Sequence, residues 1–256
     1  QRLGFVRPVG HGSPEGLQQQ LSTTRTRAFL KIQDGCNQFC TYCIVPHLRG
    51  RETSKLPDEA FVEAEQLVKS GYREIVLTGI HLGKFESGLV PLLRRLESLD
   101  GLDRIRLSSI EPLEVGDDLI EWLATSSKAC RHFHLPLQAG EDQLLREMNR
   151  PYSTAEFSRV VQKVRARNPE IGLTTDYIVG FPGETDEQFA AGLKFVEQIG
   201  FSRMHIFRYS PRPGTPAASR KDHLDGKVKK ARSERAEVLW RGMAEAYHQR
   251  FVGRDL

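Results

Sequence analysis

The sequence predicts an α/β fold whose parallel strands form either an open sheet or a complete or partial TIM-like barrel, and three observations carry that prediction. Six short β-favouring runs alternate with amphipathic helical stretches; helix-start signatures sit between them; and 256 residues, 39% of them hydrophobic, suffice for one large core plus an appendage. Parallel neighbours need a crossover, and that crossover is right-handed, so six repeats of strand and helix predict parallel strands with helices outside.

The elements follow in order. Residues 1–24 carry Gly10, Gly12, Pro14 and Gly16 and then the polar run Gln18, Gln19 and Gln20, and are expected to be a linker or tail. Strands are expected over 28–32, 74–78, 104–108, 132–135, 173–179 and 203–207. Pro57 stands at a first-turn position with Asp58 and Glu59 behind it. Phe61, Ala64, Leu67 and Val68 then make one apolar face that stops at Gly71. Ser153 with Glu156, and Thr185 with Gln188, have capping-box spacing. In either topology chemistry gathers at the C-terminal ends of strands, here 34–43, 78–83, 108–111, 135–140, 180–184 and 209–215.

Composition narrows the class. With 27% charged residues, and no run near the roughly 18 apolar residues of a membrane span, the chain reads as a cytoplasmic protein without a membrane partner. It begins at Gln1 without an initiator methionine and is expected to be a piece of something longer. The net charge of +4 is concentrated in 220–235, where seven Lys or Arg face three acids. Lys227, Lys229, Lys230 and Arg232 are the candidates for contacting a phosphate-rich partner; a solvated helix face is the alternative.

Three of the four cysteines, Cys36, Cys40 and Cys43, form C-x3-C-x2-C directly after the first strand. A close odd triplet in an intracellular chain suits metal ligation better than disulfides. A structural zinc site needs a fourth ligand, for which His47 is the nearest candidate. Three thiolates instead suit three irons of a 4Fe-4S cubane and leave the fourth iron open for chemistry. Cys130 reads as a buried apolar thiol.

The triplet, with Tyr42 just before its last cysteine, resembles the signature of radical S-adenosylmethionine (SAM) enzymes. The longer blocks RAFLKIQDGCNQFCTYCIVPHLRGRETS, EIVLTGIHLG, LSSIEP, HFHLPLQAGEDQLLREMNRPY, TTDYIVGFPGETDEQF and FRYSPRPGTPAA resemble the methylthiotransferases of that superfamily, in their order, over roughly 25–250. The IQDGC and LTGIH wording is closer to the threonylcarbamoyladenosine tRNA branch than to the isopentenyladenosine or ribosomal-protein branches.

The resemblance implies a partial (βα)6 barrel over 25–219, followed by a basic C-terminal helix over 220–256. It also implies a 4Fe-4S cluster on the three cysteines and S-adenosylmethionine on its open iron. In such enzymes an electron from the cluster cleaves the sulfonium to give a radical that abstracts hydrogen from the substrate.

Tyr42, Thr78, Gly79, Glu111, Gln138, Asp176 and Gly180 are the expected cofactor contacts; each also has a bland reading as a turn, cap or packing residue. Asp176 interrupts an apolar strand, where a carboxylate is costly unless paired. Partners implied are tRNA and an electron donor such as flavodoxin or ferredoxin. Family members carry an auxiliary cluster on an N-terminal domain and a small RNA-binding barrel at the C-terminus. A second three-cysteine cluster cannot be built from Cys130 alone. A zinc-containing RNA-binding module is the reading from another class.

Overall fold

The computed structural model describes residues 26–255; the expected tail at 1–24 lies outside the described residues. Six parallel strands run in sequence order: β1 (Ala28–Lys31), β4 (Glu74–Thr78), β5 (Arg104–Leu107), β6 (His132–His134), β7 (Gly172–Val179) and β8 (Arg203–Arg208). They form two three-stranded groups, β1-β4-β5 and β6-β7-β8. The groups are joined by the parallel bridge Ser109↔His134 and the bond from Ile110 N–H to His134 O at 3.0 Å. The sequential order and single curl are those of a partial (βα)6 barrel, and each strand lies within a residue of its expected span.

A two-residue antiparallel pair, β2 (Gln33–Asp34) with β3 (Thr53–Ser54), was not expected. It flanks the cysteine loop and the short helix α1 (Val45–Arg49). Gly35 closes this loop: with φ of +73°, a Cβ there would sit 2.0 Å from Arg51 O.

Helices cover the outer face of the sheet because their apolar residues recur at helical spacing. In α2 (Pro57–Lys69) Ala60 and Ala64 are buried, and in α3 (Leu89–Glu97) five apolar side chains are. α4 (Asp117–Thr125) contributes Leu119, Ile120, Trp122 and Leu123. The short α5 (Asp142–Glu147) buries Leu144 and Leu145. Both capping boxes form as expected, at Ser153 for α6 (Thr154–Arg167) and at Thr185 for α7 (Asp186–Ile199). Each satisfies two first-turn donors that would otherwise lack partners.

The C-terminal helix α8 (Gly226–Gln249) lies against β8, β7 and α7, and its Ala236 belongs to the same hydrophobic core as the strands. No helix among the described residues is long and apolar enough to cross a membrane.

Strand alternation decides where that core sits. Leu30, Ile75, Leu77, Ile105, Leu107, Phe133, Leu135, Leu173, Tyr177 and Val179 are buried on the side facing the helices. The opposite side, the lumen of the half-barrel, carries Glu74, Arg106, His132, His134, Thr174 and Asp176. These pair with one another: Arg106 with Glu74 at 2.8 Å, and His132 and His134 with Thr174 Oγ1 at 3.0 and 2.9 Å.

Candidate functional site

A cleft of about 310 Å³ opens at the C-terminal ends of the strands. Cys36, Cys40 and Cys43 line it together with Tyr42, Gly79, Glu111, Gln138 and Asp176, so eight of the sequence-predicted residues meet in one place. Cys130 does not: it lies at the opposite end, where its N–H bonds Ile105 O just before β6. His47 does not line the cleft either. It is exposed on α1, its ring 5.9 Å from that of Phe39, and it belongs to no candidate ligand group among the described residues.

The cysteine loop is clasped from three directions. Thr41 N–H bonds Met148 O at 3.0 Å and its hydroxyl donates to Glu147 O at 2.8 Å, while Ala217 N–H bonds Thr41 O. Asn149, at φ of +55°, donates its side-chain amide to Phe39 O at 2.8 Å. The sulfurs already receive donors: Gln38 N–H to Cys36 Sγ at 3.3 Å, and Arg150 Nη1 to Cys40 Sγ at 3.3 Å. Burial pushes the Cys43 thiol up from its ordinary value in the absence of a metal.

Two charged constellations, neither expected, hold the rim. Arg150 is buried; its Nη2 pairs with Glu111 and donates to Pro136 O at 3.3 Å, and its Nε donates to Tyr152 O–H at 3.1 Å. Tyr42 lies against the same guanidinium, and burial raises its hydroxyl well above the usual phenol range. Beside Cys36, the buried His81 ring sits between two carboxylates, Nδ1 2.7 Å from Glu52 Oε1 and Nε2 2.6 Å from Glu114 Oε1, with Cys36 Sγ 3.7 Å away. Burial alone would lower the ring's pKa; Cys36 and Glu114 outweigh it and push it up to about 10. Gln33 fixes the segment by accepting His81 N–H at 2.6 Å.

Gln138 stands at the end of the fourth barrel strand with φ of +66°, an uncommon conformation for a residue with a side chain. Its N–H donates to Asp176 O and its C=O accepts from Ile178 N–H, both at 2.8 Å, so sheet pairing continues through the strained residue. Asp176 is half-buried, with His134 Nε2 at 3.4 Å.

Three sequence expectations lie elsewhere than in the cleft or on one face. Thr78 ends β4 but faces a neighbouring recess with Lys31, Asp34 and Arg49, its hydroxyl donating to Leu30 O at 3.4 Å. Gly180 is outside the cleft: at φ of +71° its missing Cβ makes room for Lys229, whose Cγ would lie 2.2 Å away. The basic segment is not one face. Lys227 and Lys230 are exposed and Lys229 is half-buried over Gly180. Arg232 is 5% exposed, pairing with Glu184 and donating to Asp186 Oδ1 at 2.7 Å. Helical rotation separates positions that the sequence reads as one cluster.

Arg150, Tyr152, Glu52, His81, Glu114 and His134 were not singled out from sequence. His81 and Glu114 follow strand ends and His134 ends one, so a closer reading of those ends would have raised them. Arg150 follows α5 rather than a strand, and no local signal marks it.

A partial barrel with three thiols at its C-terminal mouth, and no fourth cysteine lining that cleft, is the arrangement of a domain able to hold a three-thiolate iron-sulfur cluster with one iron open to a small ligand. The profile of the radical SAM superfamily matches residues 30–196, and the chain belongs to that superfamily. It is 43% identical over 235 residues to the threonylcarbamoyladenosine tRNA methylthiotransferase MtaB of Bacillus subtilis (strain 168), covering 90% of this chain and 52% of that one. It is 39% identical over 236 residues to the tRNA-2-methylthio-N(6)-dimethylallyladenosine synthase of Desulfitobacterium hafniense (strain Y51), covering 90% and 53%. The chain thus spans about half the length of these curated relatives. Among solved structures, the radical S-adenosylmethionine methyltransferase TsrM from Kitasatospora setae, with cobalamin and a [4Fe-4S] cluster bound, shares the fold. The TM-score is 0.64 at 21% identity over 75% of this chain and 38% of that one.

The donor set fits a 4Fe-4S cluster and S-adenosylmethionine. Three sulfurs share the cleft, two of them already receive N–H donors suited to thiolates, and carboxylate, amide and phenol groups line the remaining wall.

Proposed function

We propose that this chain is the radical-SAM core of a tRNA methylthiotransferase that adds a methylthio group at C2 of threonylcarbamoyladenosine next to the anticodon. The observation that carries the reading is the meeting of three cysteines, with no fourth cysteine ligand, and Glu111, Gln138 and Asp176 in one cleft. Identity of 43% to a relative named for that substrate supports the branch.

Cys36, Cys40 and Cys43 would hold the cluster, whose chemistry when bound would be to supply an electron to the sulfonium of S-adenosylmethionine. Glu111, aimed by Arg150, and Asp176, beside His134, accept hydrogen bonds from the ammonium or ribose of that cofactor. Gln138 reads it with both donor and acceptor, and Tyr42 closes the wall by the adenine, which keeps water from the reacting atoms. Gly79 lines the cleft beside them, its missing Cβ making room for Gln33.

Sulfur insertion needs a second cluster, and Cys130 alone cannot build one, so those ligands come from another part of the whole protein. The exposed Lys227 and Lys230 face tRNA phosphates, beside an RNA-binding domain that follows the core. A flavodoxin or ferredoxin supplies the electron in the cytoplasm.

Mass spectrometry of tRNA from cells lacking the full-length protein tests the reading. The methylthio mark on threonylcarbamoyladenosine should vanish, return with the wild-type gene, and stay absent with C36A. Persistence of the mark in the deletion strain overturns the assignment; its loss from isopentenyladenosine instead selects the other tRNA branch.

A further inference from the structure

The lumen wall contains an aromatic side chain that the cluster and cofactor leave unused. In the β7–β8 register Thr174 pairs with Arg203, Asp176 with His205 and Ile178 with Phe207. Partners in a parallel register project to the same face, and the His134–His205 ring separation of 5.8 Å confirms that this is the lumen side. Phe207 therefore stands on the face of Asp176, one step nearer the open end of the barrel.

Phe207 is 52% exposed and pairs with no other aromatic ring among the described residues. No strand among the described residues pairs with the far side of β8. An exposed phenylalanine on a barrel wall gains free energy when a partner covers it. The surroundings specify the cover. Arg203, on the same face, enters no ion pair among the described residues. His205 is exposed between Arg203 and Phe207, and His134, Thr174 and Asp176 offer polar atoms beneath. A flat ring above a cationic, hydrogen-bonding floor suits a planar polar group on an anionic chain, which is a nucleobase of single-stranded RNA.

We propose that Phe207 is the stacking seat of the substrate base, holding it over Asp176 with His205 and Arg203 along its flank. This inference rests on the RNA reading above. It adds a substrate-positioning residue on the last barrel strand, on the opposite wall from the cysteine loop.

The test uses the full-length protein, anaerobically reconstituted, and an anticodon stem-loop RNA carrying 2-aminopurine at the target position. Wild type should quench the fluorophore on binding. F207L should lose the quenching and weaken RNA binding roughly tenfold, whereas F207W and F207Y should retain both; the aromatic rescue separates stacking from a folding defect, as does an unchanged cluster absorbance. Equal quenching and affinity in wild type and F207L overturn the seat while leaving the RNA reading intact. Absence of RNA binding by wild type removes the reading and the seat together.

Discussion

The Arg150 guanidinium donates to the sulfur of Cys40 across 3.3 Å, from a position 110 residues further along the chain. Its other nitrogens hold Glu111 and Tyr152, so one buried cation couples the middle cysteine to the wall of the cleft that carries Glu111. Supporting groups of this kind orient ligands as firmly as the ligands' own backbone does.

R150M leaves the Glu111 carboxylate without its counter-charge. It should lower stability by about 3–5 kcal/mol and weaken S-adenosylmethionine binding roughly tenfold or more. R150K keeps the charge but loses the fork and should fall between. Thermal unfolding and equilibrium binding of S-adenosylmethionine to the reconstituted protein check both effects; wild-type affinity in R150M would remove Arg150 from the site.

Gly180 separates a packing role from a binding one. G180A places a side chain at φ of +71° against Lys229 and should cost about 1–3 kcal/mol. Because Gly180 lies outside the cleft, affinity for S-adenosylmethionine should be unchanged at temperatures where the variant is folded. A binding defect without loss of thermal stability would return Gly180 to the cofactor site.

The basic segment divides in the same way. R232M strands the Glu184 carboxylate, whose side chain is 1% exposed, and should cost about 3–5 kcal/mol, roughly 10 °C in Tm for a chain of this size. K227E with K230E should leave Tm within about 2 °C and reduce tRNA affinity at low salt. The dependence of binding on log salt should then be shallower than in wild type. Unaltered affinity and salt slope would take this face away from RNA.

His132 makes stability depend on pH. Burial, followed by the charges of Arg106, His134 and Arg27, pushes its pKa down to about 4, and its Nε2 meets Thr174. Its ordinary value is 6.5, so the unfolded chain takes up a proton before the folded chain does. Stability from this residue is therefore complete above pH 6.5 and falls as pH drops towards 4, by about 3 kcal/mol at most. Denaturant unfolding of wild type and H132Q across that window should show a shallower acid loss in the variant. Parallel curves would place the acid sensitivity elsewhere.

The sequence by itself determined the strand spans, the capping boxes and the cysteine triplet, because each is written in neighbouring residues: alternation, a cap three residues from its partner, ligands on one loop. It also pointed to Glu111, Gln138 and Asp176, which line the cleft, since in this fold chemistry gathers where strands end. The tertiary structure alone decided what the intervening residues do. Arg150 meets Cys40, and His81 meets both Glu52 and Glu114, across separations that no local pattern encodes. Helical rotation buried Arg232 while leaving Lys230 in solvent, and the close approach of Lys229 explains Gly180 without a ligand. Local spacing fixes which way a side chain points; only the closed packing of distant segments fixes what it meets.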